Sequence, residues 1–251
     1  MRGETDPDRK VYRIAGNDRE SFLQGLVTND IARLKDGALY AALLTPQGKY
    51  LADFLLVPDG EGILLDIVAA LAEPTVRRLM VYRLRADVQL AETDLAVTRG
   101  LGPPPPGAVA DPRHPALGWR AYGAPGAAPQ IDWDAIRVEH CIPESGIELV
   151  PNETYILEAG FERLNGVDFR KGCYVGQEVT ARMKHKTDLR KGLVRVRIDG
   201  RVPVGTEIVA GDRPVGTIYT QSGGRGIAWL RFDRAGQQLS AAGVPVVPDA
   251  A

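Results

Sequence analysis

The first clear periodic signal along the chain is helical. Phe22, Leu23, Leu26 and Val27 recur at the spacing of an amphipathic helix. Asn17 is placed to cap it, and Glu20 three residues later would complete a capping box. Thr28-Asn29-Asp30 interrupts the stripe and suits the start of a second short turn before Gly37. Three apolar runs follow, over residues 40–45, 50–57 and 63–68, separated by Pro46-Gln47-Gly48-Lys49 and Pro58-Asp59-Gly60. Short apolar runs punctuated by Pro/Gly turns predict an antiparallel meander. A helix over residues 73–83 is expected next, with Pro74 in its first turn, where no amide hydrogen is needed. Val76, Leu79 and Met80 would face the sheet, and residues 87–91 read as a further strand.

The pattern then breaks. Residues 100–129 hold the run Pro103 to Pro106 and also Pro112, Pro115, Pro125 and Pro129. Such a stretch excludes a regular helix or a central strand. It predicts a surface loop or a connection between lobes, with Trp119 and Tyr122 pinning its middle strand. Asp132 or Asp134 can start a short helix running through Ile136 to His140. Beyond Leu189, Val194, Val196 and Ile198 alternate with Arg195, Arg197 and Asp199, which is strand periodicity. Further short runs between glycine-rich turns predict a small closed β-barrel or sandwich. The expected organisation is an α+β body over residues 1–187, its two lobes joined by the proline-rich connection, and an all-β domain over residues 188–251.

Composition narrows the function classes. Acidic and basic residues nearly cancel, for a net charge of -1, so there is no global basic surplus for nucleic-acid binding. No apolar run approaches the length that crosses a bilayer. The polar start resembles neither a secretory signal nor a transit peptide. With the two cysteines, Cys141 and Cys173, in unlike settings, these features predict a reducing, cytoplasmic setting without nucleic-acid or membrane partners. Two thiols are too few for an iron–sulfur cluster within one chain. No His/Cys spacing suggests zinc, so no metal is expected.

The most distinctive chemistry lies in residues 170–186. Gly172 and Gly176 flank Cys173-Tyr174-Val175 and allow a sharp turn. Val175, Val179 and Met183 then share one helical face, with Lys184, His185 and Lys186 toward the far end. Cys173 thus stands just before a helix, beside Arg170 and Lys171, a setting that favours a reactive thiolate of depressed pKa. The alternative is a small buried hydrophobe in a tight turn. A cysteine hydrolase is disfavoured, because His185 would lie roughly 18 Å along the helix from Cys173.

Lys171-Gly172-Cys173-Tyr174-Val175-Gly176-Gln177-Glu178 resembles the signature of the YgfZ family, folate-binding proteins that assist iron–sulfur enzymes. The resemblance extends, in order, to Phe22-Leu23-Gln24-Gly25 with Thr28-Asn29-Asp30, and to Gly48-Lys49-Tyr50-Leu51-Ala52-Asp53-Phe54. Tyr82-Arg83-Leu84-Arg85-Ala86-Asp87-Val88 follows, and then Arg137-Val138-Glu139 with Ile142-Pro143-Glu144. It is weakest in the proline-rich middle. The family is similar in fold to the aminomethyltransferase of the glycine cleavage system. The resemblance therefore implies ferredoxin-like α+β lobes around a folate pocket, followed by a C-terminal β-barrel. It implies tetrahydrofolate or a derivative as cofactor, and iron–sulfur client or assembly proteins as partners. Cys173 and Lys171 become the working groups at the pocket mouth, framed by Gly172, Tyr174, Gly176, Gln177 and Glu178. Arg137, Glu139 and Asp53 become folate contacts: a guanidinium can fork a carboxylate, and a carboxylate can accept from pterin nitrogens. Two positions depart from the likeness. Ala52 stands where aminomethyltransferases carry the first of paired aspartates, which disfavours amine transfer. Cys141 stands where glycine is common. An aminomethyl or methyl transferase and a non-enzymatic folate-binding module remain the alternatives to an accessory factor.

Overall fold

The computed structural model describes residues 3–186, 189–234 and 238–249. Contacts divide the chain into two units, Met1–Gln130 with Phe161–Val179, and Ile131–Gly160 with Thr180–Ala251. Both units are discontinuous in sequence, which no local pattern reveals. The boundary expected at 187/188 falls outside the described residues.

The first unit runs β1 (Glu4–Thr5), β2 (Arg9–Ala15), α1 (Arg19–Gln24), a 3₁₀ turn (Ile31–Asp36), β3 (Leu39–Leu44), β4 (Tyr50–Asp59), β5 (Gly62–Val68), α2 (Ala69–Arg83), β6 (Gln89–Glu92), β7 (Ala96–Gly100), β8 (Val109–Ala110) and β9 (Trp119–Gly123). The expected meander is β3, β4 and β5, antiparallel throughout. It forms part of a five-stranded sheet in the order β3-β4-β5-β2-β6, and a second sheet has the order β1-β7-β9-β8. One face of the larger sheet presents Leu39, Ala41, Leu43, Phe54, Leu56, Leu65 and Ile67 to Leu23, Leu26 and Val27 and to Ala72 and Leu79 of α2. Every residue of β3 is buried, so that strand reads as a continuous apolar run rather than an alternation.

The opposite face carries charge. Arg9 Nε lies 2.6 Å from Asp66 Oδ1, and Arg120 Nη1 lies 3.2 Å from Asp66 Oδ2. Arg120 Nε and Arg113 Nη2 reach Asp111 Oδ2 at 3.0 and 2.8 Å, and the Tyr122 hydroxyl donates to Asp66 at 2.9 Å. These side chains link β2 and β5 of one sheet to β9 of the other. Burial opposes ionisation of Asp66, but Arg9 and Arg120 hold its carboxyl below the usual range.

Several expectations need correction. Asn17 is not the cap of α1: Asp18 is, without a side-chain cap bond, and Asn17 instead bonds to Asp87. The α2 helix begins at Ala69, about a turn earlier than expected, which leaves Pro74 inside it. The middle strand expected in the proline-rich stretch, at Trp119 and Tyr122, is β9, but it is internal, lying between β7 and β8, which corrects the exclusion of a central strand. The prolines of the stretch flank that strand and do not enter it. The recapping role of Asp30 holds, since its side chain accepts from Ala32 N.

The second unit contains α3 (Trp133–His140), capped by Asp132 as the sequence predicts, and most of α4 (Gln177–Lys186). β10 (Lys191–Ile198), β11 (Thr206–Ala210), β12 (Arg213–Ser222), β13 (Arg225–Arg231), β14 (Leu239–Ala241) and β15 (Val244–Pro248) follow. They close a barrel in the order β10-β13-β12-β11-β14-β15. Inward residues such as Val196, Ile198, Ile208, Ile218, Leu230 and Val246 fill it, while the alternating arginines of β10 face outward.

Candidate functional site

The segment 171–178 is built onto the loop after α1 by a set of buried polar contacts. Lys171 is 6% exposed. Its Nζ donates to Gln24 O at 2.8 Å, Val27 O at 2.5 Å and Asn29 O at 2.9 Å, which uses all three ammonium hydrogens. Burial pushes the Lys171 ammonium down to about 8, with Asp30 and Asp168 opposing the shift. The ring of Tyr174 lies 5.0 Å from the same nitrogen. The loop answers in kind. Thr28 Oγ1 donates to Gly166 O, and Asn29 Nδ2 donates to both Asn165 O and Tyr40 O. The backbone amides of Asp168 and Val175 donate to Thr28 O and Gly25 O. The two stretches that resemble family motifs are therefore one structural object.

The glycines of the segment differ in purpose. Gly176 has φ +85, and a Cβ there would lie 2.6 Å from Thr45 O and 3.2 Å from Gly48 Cα. Gly48, at φ +74, is equally crowded by Val179. Only glycine permits this approach between the β3–β4 turn and the start of α4. Gly172 meets nothing within 4 Å.

Cys173 is exposed, which removes the buried-hydrophobe alternative. It lies four residues ahead of the first helical residue, Gln177, and so outside the helix's first turn. The Lys171 charge is turned inward onto carbonyls, and Arg170 is almost fully solvated. Gln177 is half-buried and Glu178 exposed. In the same unit, Asp53 is buried and accepts from the hydroxyls of Tyr40 at 2.9 Å and Tyr50 at 2.6 Å. Phe161 stacks on Tyr40 at 5.0 Å, and Arg113 lies 5.7 Å from that ring. Burial, with Asp53 alongside, pushes the Tyr40 hydroxyl well above the usual range. Tyr40 and Tyr50 are not legible from the sequence as partners of Asp53, nor Arg113 as a neighbour of the Tyr40 ring, because nothing local marks them.

Arg137 and Glu139 belong to the second unit. The buried Arg137 guanidinium reaches Glu148 Oε2 and Thr220 Oγ1, both at 2.9 Å, and also Asp134 and Glu144. Glu139 is exposed and bridges Arg195 and Arg225. They do not pair with each other. Cys141 adopts the left-handed conformation at the C-cap of α3, φ 50 and ψ 47. Glycine is favoured in that conformation, which accounts for glycine being common there; nothing in the structure explains the cysteine.

As a folate set these residues fit poorly. The guanidinium that would fork a carboxylate already holds Glu148 and Thr220, the Glu139 carboxylate already holds two arginines, and Asp53 already holds two tyrosines. Ala52 is buried in the apolar cluster of the larger sheet.

Comparisons with known proteins place this geometry among relatives. Residues 190–250 match the family model described as CAF17, C-terminal beta-barrel domain. The chain is 30% identical to the human protein named iron-sulfur cluster assembly factor IBA57, mitochondrial, over 88% of the chain and 75% of that protein. It is 32% identical to the IBA57 homologue of Pyricularia oryzae, over 76% of the chain and 54% of that protein. The chain spans about half the length of such fungal relatives. In fold it is similar to glycine cleavage system aminomethyltransferase T from Bartonella henselae. The TM-score is 0.78 at 13% identity, covering 99% of this chain and 84% of that one. The expected fold, α+β lobes of the aminomethyltransferase type followed by a C-terminal barrel, is thereby established. The cytoplasmic expectation is overturned by the same relatives, which are named as mitochondrial. Cysteine usage reports a redox environment and carries no address.

Proposed function

The chain belongs to the family of the iron–sulfur cluster assembly factor IBA57, and on that premise we propose that it serves assembly or repair of iron–sulfur clusters in client enzymes, in a mitochondrial setting, with Cys173 as its functional thiol. The observation that carries this reading is the division of labour within one segment. Lys171, Tyr174 and Gly176 are buried and anchor it, while Cys173 is exposed between them. A loop fixed on both sides of an accessible thiol can present sulfur to a partner in a defined direction. Lys171 acts here as a positioning residue for Cys173. The chain has two cysteines, too few for a cluster of its own, and the clusters served are those of partner proteins. The partners are client or assembly proteins of iron–sulfur enzymes.

The direct test is Cys173→Ser in cells lacking the native gene. Activities of iron–sulfur enzymes should fall to the level of the deletion while the protein remains folded by circular dichroism. Wild-type activities with a folded Cys173→Ser protein would remove the thiol from the mechanism.

Tetrahydrofolate or a derivative is the finer part of the proposal and is supported by the fold likeness. Arg137, Glu139 and Asp53 would have to exchange their present partners to hold it. Calorimetric titration with tetrahydrofolate checks this: saturable heat supports a folate role, and no heat at millimolar ligand removes it. Aminomethyl transfer is disfavoured, because Ala52 supplies no carboxylate and the adjacent Asp53 is held by Tyr40 and Tyr50.

A further inference from the structure

Residues 82–88 carry part of the family resemblance but take no part in the site above. They hold the end of α2 and the turn that leads into β6. The inner side of α2 faces the core. Ala72, Thr75 and Leu79 are buried, and Val76 and Tyr82 pack against the same cluster. The outer side presents Glu73, Arg77, Arg78 and Val81. Val81 is 68% exposed, and Leu84, three residues on, is 86% exposed. Arg77 pairs with Glu73. Arg78 and Arg85 are exposed, and neither forms an ion pair or a side-chain hydrogen bond among the described residues. Positions three and four apart share one side of a helix. Arg78, Val81 and Leu84 therefore follow one line, with Arg85 at its end.

The backbone at Leu84 is strained. The Ala86 amide donates to Arg83 O at 2.8 Å and closes a tight turn with Leu84 and Arg85 at its centre. Leu84 has φ 46 and ψ -106, the first central position of a type II′ turn, where glycine belongs. A side chain there is unfavourable and persists where something outside the local backbone uses it. The fold makes little use of this one, because it stands almost wholly in solvent. The turn thus holds a leucine outward, in a fixed direction, between two arginines without partners.

We propose that this end of α2 docks an acidic segment of a partner protein, which sets an aliphatic side chain against Val81 and Leu84 and carboxylates on Arg78 and Arg85. Charge selects the occupant, since an exposed guanidinium is matched by a carboxylate that it can fork. A protein is favoured over an anionic bilayer on two grounds. Two aliphatic side chains are a small part of the apolar face with which a helix enters a membrane. A fluid surface also gains nothing from a leucine held in one direction. The inference does not rest on the proposed function.

Three synthetic dodecapeptides are the probes: one rich in glutamate with two central leucines, one with serines in place of the leucines, and one with lysines in place of the glutamates. Each is titrated into the ¹⁵N-labelled full chain and followed by amide shifts. The first should give saturable shifts confined to residues 77–86 and bind about tenfold more tightly than the second. The third should give none. Leu84→Gly should weaken the first peptide about tenfold while holding or raising the melting midpoint, because glycine suits the turn. Arg78→Ala and Arg85→Ala together should abolish binding. Equal affinity for the first two peptides, shifts centred elsewhere, or unchanged affinity in Leu84→Gly overturns the inference. A midpoint several degrees lower in Leu84→Gly also overturns it, by showing that the side chain braces the fold. Sedimentation with phosphatidylserine vesicles that is lost in Leu84→Gly overturns it as well, by making the surface a membrane contact. The comparison of peptides on the wild-type chain decides the matter even where a variant fails to fold.

Discussion

Replacing Lys171 by Met keeps the aliphatic stem and deletes the ammonium. The structure sets the expected cost. Three carbonyls, of Gln24, Val27 and Asn29, lose their shared donor. Hydrogen bonds to a charged group are each worth about 1.5–3 kcal/mol, so the gross loss is about 4–9 kcal/mol. Against this stands relief from burying a charge, several kcal/mol. The net expectation is a destabilisation of about 2–4 kcal/mol. Equilibrium urea unfolding measures it, and hydrogen exchange should show residues 24–30 opening more readily than the strands. The pH dependence has a definite sign. The folded ammonium titrates near 8, against an ordinary 10.5, so between these values the unfolded chain binds more protons. Stability from this group therefore rises with pH across that window, with its burial penalty fully present below it. Wild type should gain on Lys171→Met as pH rises from 8 toward 10.5. A variant within about 0.5 kcal/mol of wild type would refute the clamp, and a stability difference flat across that window would refute the lowered pKa of the ammonium.

Two further substitutions probe the frame around the site. Asp66→Asn leaves Arg9 and Arg120 buried without their carboxylate and should cost about 3–5 kcal/mol in urea unfolding; a cost below about 1 kcal/mol would mean the network is incidental. Because Asp66 and Asp111 are both held below the ordinary carboxylate range, their contribution is present above the unfolded pKa and is lost as pH falls through the folded value. An acid titration of Asp66→Asn should therefore be shallower than that of wild type. Gly176→Ala, at φ +85 against Thr45 O, should cost about 2–4 kcal/mol, whereas Gly172→Ala in open space should stay within about 0.5 kcal/mol by thermal melting.

The sequence was most legible where a pattern is local. Leu23, Leu26 and Val27 are buried and Phe22 is half-buried, as the stripe predicts, although the helix ends at Gln24, before Leu26 and Val27. The three-strand meander is present, and the alternation in β10 lies in a closed barrel. It was least legible where function depends on distant partners. Lys171 reads as positive charge beside a thiol, yet its ammonium is turned into the loop after α1, and no spacing rule reports a contact across that much chain. Arg137 and Glu139 sit two apart on α3, but their partners Thr220 and Arg225 lie in barrel strands. β2 is internal to its sheet, although Arg9 and Arg13 give one of its faces a polar character and Lys10 adds a charge on the other. Those arginines are matched by Asp66 of the adjacent β5 and by Asp59 at the end of β4, which one strand's sequence cannot foretell.

The stitching of Lys171 to Val27 spans 144 residues, and that separation has a consequence for how the protein is made. At a synthesis rate of 5–20 residues per second, roughly 7–29 s elapse between the appearance of the loop after α1 and the arrival of its clamp. During that interval the carbonyls of Gln24, Val27 and Asn29 must stay hydrated, so the early sheet cannot close over them. Presentation of Cys173 is accordingly a late event on the folding route, as expected for contacts of high sequence separation. The thiol is held in its fixed orientation only by a chain whose first unit is complete.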